Sequence, residues 1–177
     1  MSNTNITQKS KYLSLILRHQ PQSIGLVLDP NGWADVEELL NKSKLKFSFQ
    51  QLVEVVEKND KQRFILSDDQ TKIRANHGHS IKIDLDLKPQ IPPPILYHGT
   101  VEKYLDSIRI EGLKKMNRNH VHLSKDIETA QKVGSRRGNP VILKIDAEAM
   151  NTDKMLFYCS ENGVWLTDNV PTKYISF

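Results

Sequence analysis

The pattern of apolar and polar positions divides the chain into two stretches of different rhythm. Tyr12, Leu13, Ile16 and Leu17 recur at helical spacing and predict a first helix, which Pro21 ends. Arg18 and His19 then lie in its last turn, where the helix dipole favours cations. Ile24 to Leu28 predicts a short strand or extended piece, and Asp29-Pro30-Asn31-Gly32 a turn. A second helix follows, with Val36, Leu39 and Leu40 inward. A third runs from about Phe49 to Lys58, with Phe49, Leu52, Val53 and Val56 on one face. Two strands come next, Arg63 to Leu66 and Lys72 to Ala75, with Asp68 and Asp69 near the turn between them. Three helices followed by a hairpin resemble a winged-helix module.

Residues 89–94 hold four prolines, which can continue neither a helix nor the centre of a sheet. Residues 83–94 therefore read as an extended, stiff linker between a lobe at 1–82 and a lobe at 95–177. The second lobe has shorter periods. Ile95 to His98 is a predicted strand and Val101 to Glu111 a helix stopped at Gly112. Val121 to Leu123 is a strand and Asp126 to Val133 a short helix. Val141 to Ile145, Leu156 to Tyr158, Val164 to Leu166 and Tyr174-Ile175 are further strands. Short strands with two helices give a mixed sheet, so the expected class is α+β.

At 177 residues the chain fits one domain or two small ones. With 38% hydrophobic and 26% charged residues it can build a core, which excludes wholesale disorder. Its single cysteine, Cys159, excludes an intramolecular disulfide and a four-cysteine zinc site. No apolar run reaches ~18 residues, and the polar start MSNTNITQKSK lacks the apolar stretch of a signal peptide. A soluble, cytoplasmic protein with no membrane partner is expected. The net charge of +4 permits a polyanionic partner without requiring one. Residues 1–82 carry 12 basic and 9 acidic side chains, and residues 83–177 carry 13 and 12. Only seven of the 25 basic residues are arginine, the side chain whose planar fork matches phosphate, so each arginine position is informative.

The six histidines fall in four short segments, three of which also hold an arginine. These are Leu17-Arg18-His19, residues 73–80 with Arg74, His77 and His79, residues 117–124 with Arg118, His120 and His122, and Tyr97-His98-Gly99-Thr100. Arginine beside histidine makes a receptor for a phosphate dianion, and histidine also moves a proton near pH 7. Each element has a plainer explanation. Arg18-His19 complements a helix dipole, a strand often ends in a Gly turn, and Arg136-Arg137-Gly138 suits a solvated loop. The two His-x-His pairs lack a third ligand arranged nearby, which argues against zinc. The concentration of all six histidines in such segments weakens the plainer explanations taken together. Neither a P-loop nor a Rossmann glycine fingerprint is present, and no dense carboxylate set suggests a two-metal phosphatase. Phosphate chemistry here would rely on arginine, lysine, histidine and backbone amides.

Taken in order, these motifs resemble those of the RNA (tRNA) 2'-phosphotransferases. The resemblance rests on Leu17-Arg18-His19, Ile24-Gly25-Leu26 with Leu28-Asp29, Gly32-Trp33, Asn59 to Phe64, Ile73 to Ser80 and Leu96 to Thr100. It continues through Arg118 to Ser124, Arg136-Arg137-Gly138 and Asn162 to Thr167, from about Tyr12 to Ile175 in all. His77 is a departure, standing where the family is expected to have glutamine. The resemblance implies an N-terminal winged-helix lobe that binds RNA phosphate and a C-terminal ADP-ribosyltransferase-like lobe that binds NAD. It implies transfer of an internal RNA 2'-phosphate to NAD+, consumed as co-substrate and without metal. The steps are a 2'-phospho-ADP-ribosylated RNA, then release of 2'-OH RNA and ADP-ribose 1'',2''-cyclic phosphate; nicotinamide leaves in the first.

The family's RNA-phosphate pocket corresponds to Arg18, His19 and Arg63, and its remaining catalytic arginine to Arg118. Its NAD-binding strands correspond to His98, Gly99, Thr100, Asn119, His120, His122 and Ser124, with Arg137 a contact to pyrophosphate or RNA. Val164 stands where many protein-directed ADP-ribosyltransferases carry a glutamate, and Glu161 is close by in sequence. A phosphate nucleophile is already ionised and needs no such base. The expected partner is tRNA-like RNA with an internal 2'-phosphate, met by a monomer without an obligate protein partner. Two other readings stand beside this one. One is an ADP-ribosyltransferase for nucleic-acid 5'-phosphate ends or protein. The other is a winged-helix regulator that senses NAD, which would not need Arg18, His19, Arg63 and Arg118 together.

Overall fold

The computed structural model describes residues 3–59 and 62–177. Asp60 and Lys61, within the Asn59–Phe64 motif, lie outside the described residues. The chain forms two compact units, Met1–Asp86 and Leu87–Phe177, so the division falls inside the 83–94 stretch. Both units mix helices with small antiparallel sheets, an α+β architecture. No helix among the described residues is long and apolar enough to cross a membrane.

In the first unit α1 spans Asn3–Arg18 and buries Ile6, Leu13, Ile16 and Leu17. Each such side chain removed from water contributes about 1.5–3 kcal/mol. The helix begins before Tyr12 because its polar first turns cost little once Ile6 is anchored. A 3-10 turn at Pro21–Ile24 closes on Gly25, whose φ of 64° suits glycine. Residues 26–29 belong to no sheet, so of the short strand or extended piece expected for Ile24 to Leu28 no strand forms. The turn at Asp29 does form. Its Oδ1 accepts from the Asn31 and Trp33 amides, and Gly32 takes a φ of 83°.

Strand β1 (Ala34–Asp35) runs into α2 (Val36–Lys42), where the Asp35 carboxylate caps the helix by accepting from the Glu38 amide. Helix α3 (Phe49–Glu57) starts with a capping box between Ser48 and Gln51. Of the expected face Leu52 is buried and Val56 packs half-buried against the core, while Val55 is buried in place of Phe49 and Val53. Phe49 stays 39% exposed because the first turn lies at the rim of the core. Strands β2 (Phe64–Leu66) and β3 (Lys72–Ala75) make the hairpin, and the sheet order is β1-β3-β2.

The second unit opens with β4 (Ile95–Val101), which runs three residues past its expected end at His98. A 3-10 turn at Glu102–Tyr104 leads into α4 (Leu105–Glu111), so Val101 ends a strand instead of starting a helix. Strands β5 (Leu113–Lys114) and β6 (Val121–Leu123) precede α5 (Ile127–Gly134), which Asp126 caps by accepting from the Thr129 amide. Strand β7 (Pro140–Asp146) pairs along the whole of β4, from Ile95 opposite Asp146 to Val101 opposite Pro140. Then come α6 (Ala147–Thr152), β8 (Tyr158–Cys159), β9 (Trp165–Thr167), β10 (Asn169–Val170) and β11 (Ile175–Ser176). The sheets are β11-β7-β4, β6-β9-β8 and β10-β5. Tyr97 and Ser124 exchange backbone hydrogen bonds of 2.8 Å, which ties β4 to the segment leaving β6. The core holds Leu96, Leu123, Leu143, Ile145, Met150 and Phe157.

Candidate active site

The first unit gathers three of the predicted residues. Arg18 ends α1, and its Nη2 donates to the Arg63 carbonyl at 3.3 Å. Its guanidinium also lies 5.8 Å from the centre of the Phe64 ring. Arg63 precedes β2, and its Nη1 donates to Asn59 Oδ1 at 3.1 Å. Buried Asn59 donates in turn to Ser10 Oγ at 2.8 Å, which fixes the guanidinium against α1. His19 shares a 2.8 Å hydrogen bond between its Nδ1 and Ser80 Oγ, and the Ser80 amide donates to the Arg18 carbonyl. The strand-exit segment 76–80 thus clips both Arg18 and His19. Its start is held as well, since the Asn76 amide donates to the Arg63 carbonyl at 2.9 Å.

His79 sits inside this clip, buried, with its Nε2 3.5 Å from where a Cβ at Gly32 would stand. Burial pushes its pKa down to about 4, with the charges of Arg18, His19 and Arg74 adding to the effect. A neutral imidazole therefore backs the cationic surface. Arg74 instead lies over the Trp33 ring, 4.6 Å from its centre. His19 and Arg63 line one end of a cleft of about 500 Å³ that continues along α1 past Ser10, Lys11 and Ser14.

The second unit gathers another set. His98 on β4 donates from Nδ1 to the His122 carbonyl at 3.0 Å. Burial, and then the charges of Arg118 and Arg137, hold its pKa below the ordinary value, so it stays neutral. Arg118 Nη1 donates to His122 Nδ1 at 3.0 Å, which places the imidazole proton of His122 on Nε2. The pKa of Arg118 is lowered by desolvation and then by Arg137 and Arg136. Arg118 therefore feels the positive charge of Arg137 and Arg136, which an anion would relieve. Arg137 also lies 6.0 Å from the Tyr104 ring centre. His120 stacks at a tilt against Tyr158, with ring centres 5.6 Å apart.

Alternation along β4 puts His98 and Thr100 on one face and Gly99 on the other. A Cβ at Gly99 would come within 1.9 Å of the Ala130 carbonyl oxygen, so Gly99 is small because α5 packs directly on it. Ser124 holds the β4–β6 bridge through its backbone, Thr100 is buried, and Asn119 is half-buried beside His120. Val164 is held in a turn by hydrogen bonds with Ser160, and Glu161 is exposed. Among the described residues, no group of three or more His, Cys, Asp or Glu is arranged to hold a metal.

Ser80, Asn59 and His79 organise the first cluster yet were not among the candidate site residues. Ser80 and Asn59 lie within the motifs Ile73 to Ser80 and Asn59 to Phe64, but their partners are 61 and 49 residues away, so their positioning roles show only in the fold.

The family model for RNA 2'-phosphotransferase, Tpt1 / KptA family, matches residues 4–169. The chain belongs to this family. A relative from Flavobacterium johnsoniae is 58% identical over 179 residues, covering 99% of this chain and 98% of its own length. Relatives from Nostoc punctiforme and Fusobacterium nucleatum are each 52% identical, again over nearly the whole of both chains. All three carry the name "Probable RNA 2'-phosphotransferase". The family match spans the Arg18–His19 helix end, Arg63 and the Arg118–Ser124 segment alike.

Proposed function

We propose that this RNA 2'-phosphotransferase family member transfers an internal RNA 2'-phosphate to NAD+. In this reading the first unit is a winged-helix-like lobe holding the RNA 2'-phosphate. The second is an ADP-ribosyltransferase-like lobe holding NAD+. The observation that carries it is the division of cationic groups into two differently built clusters. Arg18, His19 and Arg63 are set in a frame of neutral hydrogen bonds from Asn59, Asn76 and Ser80. Such a frame suits a dianionic phosphate. Arg118, which feels the charges of Arg137 and Arg136, stands beside His98 and His122, and such a cationic group suits the pyrophosphate of a dinucleotide.

Chemistry then follows in two steps, a substitution at a ribose carbon and a transesterification at phosphorus. A 2'-phosphate oxygen attacks the nicotinamide-bearing ribose carbon, the C–N bond breaks, and nicotinamide leaves with the electron pair. This gives 2'-phospho-ADP-ribosylated RNA. The adjacent ribose 2''-hydroxyl then attacks phosphorus, loses its proton, and expels the RNA 2'-oxygen, which is protonated. The second products are ADP-ribose 1'',2''-cyclic phosphate and 2'-OH RNA. Arg18 and Arg63 hold phosphate oxygens, and Arg118 meets charge that builds on them. The enzyme is proposed to act in the cytoplasm as a monomer on tRNA-like RNA.

The test is incubation with a 2'-phosphorylated oligonucleotide. Phosphate should leave the RNA only when NAD+ is present, with nicotinamide released, and EDTA should have no effect. Dephosphorylation without NAD+, or loss of activity on chelation, overturns the reading.

A further inference from the structure

The cleft along α1 extends well beyond the groups assigned to the 2'-phosphate. Thr7, Lys11, Ser14 and Arg18 are spaced four, three and four residues apart and so share one helix face. At ~1.5 Å per residue, Lys11 stands about 10 Å along the axis from Arg18. The cleft follows that row, with Ser10, Lys11 and Ser14 on its wall and His19 and Arg63 at one end. Its volume of about 500 Å³ is far more than one phosphate group fills. Leu15, 41% exposed, adds an apolar patch where a ribose can rest. The wall is firm where Asn59 joins Ser10 to Arg63. Lys58 also lines the cleft but is drawn to Glu54 at 2.7 Å, which leaves the exposed Lys11 as the cation to test. Hydroxyls and an ammonium in a row, with no Phe, Tyr or Trp among the described lining residues, suit a sugar-phosphate backbone and not base edges.

We propose that this cleft is the track for the RNA strand flanking the 2'-phosphate. Lys11 contacts a backbone phosphate, and the hydroxyls of Ser10 and Ser14 donate beside it. The inference rests on the phosphotransferase reading and adds to it a preference for strand length over sequence.

Two labelled RNAs test it, each with one internal 2'-phosphate. One is a dinucleotide and the other a single strand of about ten nucleotides. Binding is followed by fluorescence anisotropy without NAD+, and turnover with NAD+ is measured in parallel. The protein should bind the long strand at least about ten-fold tighter than the dinucleotide. Lys11→Glu should remove most of that preference, and Lys11→Gln should lower the salt slope for the long strand by about 1. Ser14→Asp should act like Lys11→Glu, whereas Lys46→Glu, the same charge change outside the cleft, should keep the preference. The track is refuted if the unaltered protein binds both RNAs alike, or if Lys11→Glu and Ser14→Asp keep the preference. Normal turnover of the dinucleotide without a length preference refutes the track alone. No turnover of either RNA refutes the phosphotransferase reading.

Discussion

At the scale of single residues, the first cluster depends on side chains that position others. In the proposed phosphate pocket, Arg18→Ala, His19→Ala and Arg63→Ala would each remove one charge-assisted contact. A loss of about 1.5–3 kcal/mol is expected, roughly ten- to a hundred-fold in kcat/KM for 2'-phosphorylated RNA. Arg63→Lys should rescue poorly, because one ammonium cannot both reach Asn59 and present a fork. Normal kinetics in all three alanine variants would misplace the pocket. His79 makes a prediction about pH instead. Its folded pKa of about 4 lies below the ordinary value of 6.5, so the unfolded chain binds the extra proton between those values. Above about pH 6.5 both states are neutral and His79 leaves stability unchanged. As pH falls toward about 4 the folded state loses stability, by roughly 3 kcal/mol at the limit. His79→Asn should flatten the fall in urea midpoint between pH 6.5 and about 4, whatever its effect at neutral pH. An unchanged slope would mean that other groups carry the acid response.

At the scale of elements, the strongest constraint is the approach of α5 to β4. Gly99→Ala would put a methyl carbon 1.9 Å from the Ala130 carbonyl oxygen, a backbone atom that no side-chain rotation moves. A loss of about 3 kcal/mol or more in unfolding free energy is expected. Gly163→Ala gives the comparison. Its φ of 76° is strained, but nothing lies within 4 Å, so about 1–2 kcal/mol suffices. Equal destabilisation of the two variants would contradict the packing.

The same helix explains what could be read along the chain. Asp126 before an apolar period marks α5, and the alternation in Lys72 to Ala75 marks β3 with its observed bounds. The end of β4 was hidden because Val101 suits either a strand or a helix start, and only pairing with Pro140 decides it. Two-residue strands such as β5 and β10 carry no period at all and exist through each other. The face of α3 is legible only in part because Val53, Val55 and Val56 are alike in sequence, and packing buries Val55 while Val56 stays at the edge of the core. In the candidate site the sparse arginines and histidines draw attention in the sequence, and the family resemblance supplies their expected roles. The roles of Ser80 and Asn59 were not legible, since they depend on contacts made far along the chain.

At the scale of the whole molecule, the two units carry chemically different arginines, and that difference separates the two proposed steps. Arg18 and Arg63 are embedded in hydrogen bonds before any substrate arrives. Arg118 is bonded to a neutral imidazole and opposed by Arg137 and Arg136, so added negative charge stabilises it more. The attack of the 2'-phosphate on ribose spends negative charge on a cationic centre. The attack of the 2''-hydroxyl on phosphorus builds negative charge on the phosphoryl oxygens. A guanidinium relieved by added negative charge favours the second step over the first. Arg118→Ala should therefore still release some nicotinamide from NAD+, while the second step slows by roughly a hundred-fold or more. RNA bearing a 2'-phospho-ADP-ribosyl group should then accumulate and appear on a gel of end-labelled oligonucleotide as a slower band. If Arg118→Ala is slow but yields no such band, this arginine acts in the first step or in binding NAD+. The steps would then not be divided by the arginines in this way.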